Sequence, residues 1–101
     1  MIRAVILGAT GYTGIELTRI LSTHPDARIV GGSSRNWAGR SACDVFPFLS
    51  ESENFPLQTL EEVVTSHQAD IAFLALPHGE SAAVARQVLD TGLKVVDLSA
   101  D

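Results

Sequence analysis

Three glycines stand at even spacing near the amino terminus, in the run Gly8-Ala9-Thr10-Gly11-Tyr12-Thr13-Gly14. An apolar stretch, Arg3 to Leu7, leads into them, and an amphipathic stretch, Ile15 to Leu21, leads out. A strand, a glycine turn and a helix in that order direct backbone N–H groups and the positive end of a helix dipole at one point. That arrangement suits an anion, and in particular the pyrophosphate of a dinucleotide. The commoner spacing is G-x-G-x-x-G; here it is G-x-x-G-x-x-G, with Thr10 where the second glycine would stand. Gly8 is placed to make the tight turn, Gly11 to let the backbone approach a phosphate, and Gly14 to let the helix lie close to the sheet. Thr10, Tyr12 and Thr13 share the turn and are candidate contacts. The bland alternative is a tight connection that holds no ligand, and the flanking strand and helix patterns argue against it.

A second cluster lies where a dinucleotide site reads its ribose. In sites for NAD, an acidic residue roughly 20 residues after the turn holds the 2′-hydroxyl. Here that place reads Gly31-Gly32-Ser33-Ser34-Arg35, with two hydroxyls and a guanidinium and no carboxylate. A guanidinium binds phosphate through paired N–H bonds, and short hydroxyls add donors. The cluster therefore predicts NADP over NAD.

A third cluster, Leu76-Pro77-His78-Gly79-Glu80-Ser81, follows a run of apolar residues at the sheet edge where ligands bind in open α/β folds. Backbone from Ala75 to Gly79 would face the middle of the cofactor. His78 can donate to a phosphate, a ribose or a substrate, and it can equally cap the next helix or pair with Glu80. Asp97, Ser99 and Asp101 end the last strand at the same edge, where Asp97 either reaches a ligand or is a buried acid held by N–H groups. His24 and His67 fall at helix ends, in capping or solvent roles. Cys43 is the only thiol; Asp44 beside it would raise its pKa, so it is not expected to be a catalytic nucleophile. No metal site and no catalytic residue is expected in this chain.

The elements that must hold these clusters alternate. Strands are predicted at about Arg3–Leu7, Ala27–Gly32, Phe55–Gln58 (a short edge strand), Asp70–Leu76 and Lys94–Leu98. Helices are predicted at about Thr13–Ser22, Thr59–His67 and Glu80–Asp90, with Pro25 and Gly92 as stops. Leu17, Ile20 and Leu21 form the apolar stripe of the first helix, leaving Thr18 and Arg19 outside it. Thr59 and Glu62 have the spacing of a capping box. The stretch from Ser33 to Phe55 reads as irregular, with one helical turn near Ala42. The continuous run Ile71 to Leu76 suits a parallel strand buried on both faces. The fold class expected is α/β: a doubly wound, three-layer parallel sheet. A last strand with no helix after it predicts that the chain is an incomplete part of a longer one.

The 101 residues carry a formal net charge of −5 and are 46 % hydrophobic, which suits one globular domain and no nucleic-acid partner. Any phosphate must then be held by local donors rather than by a basic field. One cysteine excludes an internal disulfide. No run is long enough to span a membrane, and no signal-peptide pattern opens the chain, so a cytoplasmic location is expected.

Four motifs in order, GATGYTGIEL, SSRNWAG, FLALPHGES and VVDLSAD, resemble the amino-terminal portion of the N-acetyl-gamma-glutamyl-phosphate reductases along the whole chain. The resemblance implies a Rossmann-type NADP-binding domain of an NADPH-dependent reductase in arginine biosynthesis. It also implies a separate domain for catalysis and homo-oligomer formation, and a small-molecule substrate. By the same resemblance, Gly8 to Gly14 form the phosphate turn and Ser34 and Arg35 the adenosine-phosphate end. Pro77, His78 and Gly79 match the loop near the nicotinamide, and Ser99 the end of the next strand. In that family a cysteine attacks an acyl phosphate and hydride reduces the resulting thioester. Cys43 does not match that cysteine, whose place lies beyond Asp101. Aspartate-semialdehyde dehydrogenase and a lysine-pathway relative share the turn and the mechanism, and a nucleotide-sensing module without chemistry is the alternative of a different class.

Overall fold

The computed structural model describes residues 1–66, 68–77 and 79–98. His67, His78, Ser99 and Asp101 therefore lie outside the described residues. Five strands, β1 (Ile2–Leu7), β2 (Ala27–Ser33), β3 (Leu57–Gln58), β4 (Ile71–Leu74) and β5 (Lys94–Asp97), form one sheet in the order β3-β2-β1-β4-β5. Every pairing is parallel. Between them run helices α1 (Tyr12–Ser22), α2 (Ala42–Val45), α3 (Leu60–Ser66) and α4 (Ser81–Leu89). This is the expected doubly wound sheet in three layers. The chain steps outward from β1 through β2 to β3, then crosses back to lay β4 on the other side of β1, so the strand order reverses at β1, where ligands bind in such sheets.

Alternation along β1 divides the core in two. Ala4 and Ile6 face one layer with Leu21 of α1, Ala42 and Phe46 of the α2 region, and Phe55. Val5 and Leu7 face the other, with Val63 of α3 and Val84 and Val88 of α4. Four successive buried residues in β1 are what a strand covered on both faces requires. Full burial of one such side chain contributes roughly 1.5–3 kcal/mol, so β1 anchors both layers.

Three expectations need correction. The inner face of α1 is Gly14, Thr18 and Leu21, with Thr18 at 0 % exposure, while Ile20 is 51 % exposed. Thr18 is admitted to the core because its hydroxyl donates to the Gly14 carbonyl at 2.7 Å, one helical turn back. The strand read as buried on both faces is fully covered only at Ala72 and Leu74; Ile71 and Phe73 are half-buried, because α1 lies over β1 and β2. Asp97 is exposed rather than a buried acid. The irregular stretch holds α2 as expected and also a 3₁₀ turn, Glu51–Glu53, closed by a Ser50/Glu53 capping box. No helix among the described residues is long and apolar enough to cross a membrane.

The Thr59/Glu62 box forms as expected. The Thr59 N–H donates to Glu62 Oε1 at 2.9 Å, and the Glu62 N–H donates to the Thr59 hydroxyl at 3.2 Å. The Thr59 N–H, and then its hydroxyl pairing, hold the Glu62 carboxyl below its ordinary 4.5. A carboxylate whose pKa falls on folding stabilises above its unfolded value and loses that contribution as pH drops through the folded one. Glu62→Gln is therefore expected to lower stability at pH 7. Urea titrations at several pH values should show the gap to the wild type closing as pH falls below about 4.5; a gap that does not narrow on acidification would count against this role.

Candidate functional site

The turn after β1 is built by two forced absences of a side chain. Gly8 adopts φ +87°, and a Cβ there would lie 2.4 Å from the Ala75 carbonyl oxygen. A Cβ on Gly14 would lie 2.0 Å from the Gly8 carbonyl oxygen and 2.7 Å from the Ala9 carbonyl group. These are backbone atoms and cannot yield. Gly11 differs: it is the N-cap of α1 at φ −78°, and the nearest atom a Cβ would meet is the Gly8 oxygen at 3.7 Å. The protein's own packing does not demand glycine at position 11.

The same turn is tied to the end of β2. The Gly8 N–H donates to Ser33 Oγ at 2.8 Å, and the Ala9 N–H to the Ser33 carbonyl at 2.8 Å. Thr10 and Ser34 pair through their hydroxyls at 2.8 Å, and Ser34 Oγ also accepts the Trp37 N–H at 3.1 Å. Ser33 and Ser34 are each 4 % exposed. They form a wall with hydroxyls already engaged, not loose donors in solvent.

Above this turn opens a crevice of about 560 Å³ at the carboxyl edge of the sheet. Gly8, Thr10 and Gly11 line it from the turn, Tyr12 and Thr13 from the first turn of α1, and Ser33, Ser34 and Arg35 from the end of β2. Ala75, Leu76 and Pro77 line it beyond β4. The structure thus gathers ten of the thirteen candidate residues into one site. Gly14 is not among the lining residues; it acts one step behind them, by letting α1 approach. His78 and Ser99 lie outside the described residues.

Three lining residues, Thr59, Leu60 and Glu80, were not anticipated as site residues. For Thr59 and Leu60 the available signal was position, since they follow β3 at the same sheet edge. Glu80 was recognised in the third cluster, yet its partner is Arg35, at 2.7 Å. No side chain caps the N-terminus of α1, and no acid stands in its first turn. Arg35 and Glu80 are the only charged side chains among the described lining residues. An anion entering the crevice therefore meets uncapped helix N–H groups, a helix dipole and one guanidinium.

Cys43 is not at the crevice. Its Sγ lies 3.4 Å from the Ser50 carbonyl oxygen, and burial, then the charges of Glu51, Asp44 and Glu53, push its thiol up. His24 accepts the Asp26 N–H at 3.0 Å beyond the end of α1, a local turn contact.

A parallel sheet in the order 3-2-1-4-5 with an anion-favouring crevice at its switch point places the chain among the nucleotide-binding doubly wound α/β domains. It belongs to the family described as semialdehyde dehydrogenase, NAD binding domain, which it matches over residues 3–101. It is 45 % identical over 101 residues to an N-acetyl-gamma-glutamyl-phosphate reductase of Moorella thermoacetica, covering 100 % of this chain and 29 % of the relative. A protein of the same name from Cereibacter sphaeroides is 52 % identical over 96 residues, covering 95 % and 28 %. The chain thus spans less than a third of the length of these relatives. Among solved structures, aspartate semialdehyde dehydrogenase with NADP from Candida albicans superposes with a TM-score of 0.79 at 23 % identity, covering 98 % of this chain and 30 % of that one, a likeness of fold.

The three glycines of the turn should separate by role in thermal or urea unfolding. Gly8→Ala and Gly14→Ala are expected to lose about 2–3 kcal/mol or more, from backbone overlap. Gly11→Ala should lose about 1 kcal/mol or less, the difference between two residues at an N-cap. Equal losses at all three positions would contradict this division.

Proposed function

We propose that this chain is the NADP(H)-binding domain, residues 1–101, of a longer acyl-phosphate reductase. Its reaction would make N-acetylglutamate semialdehyde from N-acetyl-gamma-glutamyl phosphate in arginine biosynthesis. The observation that carries the cofactor reading is Gly11: it sits at the mouth of an uncapped helix, lines the crevice, and has no packing reason to be glycine. A Cβ there would project where a ligand's phosphate has to meet the backbone. The residues present fit a dinucleotide. The relatives' names, at 45–52 % identity for the two given above, supply the substrate.

When bound, the nicotinamide supplies hydride. This chain's residues do the holding. The N–H groups at Tyr12 and Thr13, at the open start of α1, take the pyrophosphate, with Gly11 leaving room for its approach, and Arg35, beside the wall that Ser33 and Ser34 form, takes the 2′-phosphate. The absence of any acid at the end of β2 favours the phosphorylated ribose, since a carboxylate there would repel it. Leu76 and Pro77 serve the nicotinamide side, and His78 and Ser99 are assigned to it by the family resemblance alone. No nucleophile comes from this chain: the lone thiol does not line the crevice, and burial and neighbouring carboxylates disfavour its ionisation. The covalent step belongs to a part of the longer enzyme, which also carries homo-oligomer contacts and works on its small-molecule substrate in the cytoplasm.

Calorimetry on this chain is expected to give tighter binding of NADPH than of NADH, by about 10- to 100-fold, the worth of a charge-assisted hydrogen bond of roughly 1.5–3 kcal/mol. Arg35→Asp should narrow or reverse that preference, and Gly11→Ala should weaken both ligands while the fold persists. Equal affinity for the two cofactors in the wild type would overturn the NADP assignment.

A further inference from the structure

Arg35 stands just past the end of β2, and Glu80 is the N-cap of α4, beyond β4. In the sheet β2 and β4 lie on either side of β1. The ion pair between them, Arg35 Nη2 to Glu80 Oε1 at 2.7 Å, therefore passes over the carboxyl end of β1 and across the crevice that both residues line. We propose that this pair is an exchangeable clasp, and that Glu80 tunes the preference for a phosphorylated nucleotide by competing with the ligand's phosphate for Arg35. The inference rests on the assignment of Arg35 to the 2′-phosphate made above.

Exposure makes the clasp exchangeable. The two side chains are 77 % and 41 % exposed, and ion pairs in such surroundings are weak and screened by salt. A phosphate is the stronger partner, because it offers a guanidinium two parallel bonds and more than one negative charge. Once Arg35 turns to a phosphate, Glu80 loses its partner and faces the crevice with the same sign of charge as the ligand. A nucleotide without that phosphate has no need of Arg35 and leaves the pair closed. The penalty thus falls only on the phosphorylated ligand, and Glu80 holds its affinity below what Arg35 alone would give. Glu80 makes no capping hydrogen bond to α4 through its side chain, so this carboxylate has no evident duty to the helix.

The test is a double-mutant cycle by calorimetry on this chain, with NADPH and NADH as probes, using Glu80→Gln, Arg35→Gln and the pair together. Glu80→Gln is expected to tighten NADPH by about 2- to 5-fold, the scale of an exposed pair, and to leave NADH unchanged. In the Arg35→Gln background, where only the like-charge repulsion remains, the same substitution should tighten NADPH by less than it does beside Arg35. Glu80→Ser, which removes the charge but supplies a good N-cap, should act in the same direction as Glu80→Gln, which guards against a helix defect. Unchanged or weaker NADPH binding by both Glu80 variants, with Arg35→Gln still weakening NADPH, would overturn the clasp and leave the phosphate assignment standing. NADPH binding indifferent to Arg35→Gln would overturn that assignment and the clasp with it.

Discussion

A Cβ on residue 14 would sit 2.0 Å from the Gly8 carbonyl oxygen, so α1 can begin where it does only because that residue has no side chain. The rest of the crevice depends on this approach. With α1 pressed onto the turn, Ala9 is sealed at 0 % exposure and the Gly8 N–H is left pointing at β2, where Ser33 accepts it. The Gly14 carbonyl in turn accepts the Thr18 hydroxyl, which lets a polar residue occupy the inner face of the helix. A larger residue at position 14 would lift the helix, and with it the N–H groups that give the crevice its preference for anions.

The loops that line the crevice are held by elements buried more deeply than they are. β1 contributes four buried residues in succession, with two helical layers packed on its alternate faces. The crevice residues extend from the carboxyl ends of β1, β2 and β4 and the starts of α1 and α4, so the rigid part sets their positions while their backbones stay accessible. The functional edge can carry an uncapped helix end and a weak exposed ion pair because neither contributes much to stability.

Most of this arrangement was legible in the sequence wherever the signal is local. Periodicity and turn residues placed all five strands and the three longer helices with ends off by no more than two residues. Contiguous motifs named most of the crevice, since a parallel sheet brings all its β-to-α connections to one edge. The failures share a cause, which is that the deciding partner exists only after folding. Thr18 reads as an outward residue until the Gly14 carbonyl is supplied for its hydroxyl, and Ile20 reads as inward until the position of α1 over β1 and β2 is known. The Arg35–Glu80 pair joins residues 45 apart, and only the strand order shows that they meet above β1. The 3₁₀ turn at Glu51 is a different case: its Ser50-to-Glu53 spacing was there to be read, but the polar, serine-rich surroundings masked it.

The chain is acidic overall, at a net −5, yet its crevice presents an uncapped helix end and a guanidinium, both of which favour an anion. These are compatible because they act over different ranges. The field of scattered surface carboxylates is damped over about 8–10 Å at ordinary ionic strength, whereas helix N–H groups and a guanidinium act at contact distance. The end of β2 shows how the conflict is kept local: two small hydroxyls make the wall next to the turn, each 4 % exposed, and they do so without adding a charge. A carboxylate in either place would set a negative charge beside the helix end meant for an anion. Among the described residues, the one acid that lines the crevice, Glu80, is paired with the one guanidinium that does. The local preference of this edge for an anion is thus a matter of where a few donors point rather than of the net charge of the chain.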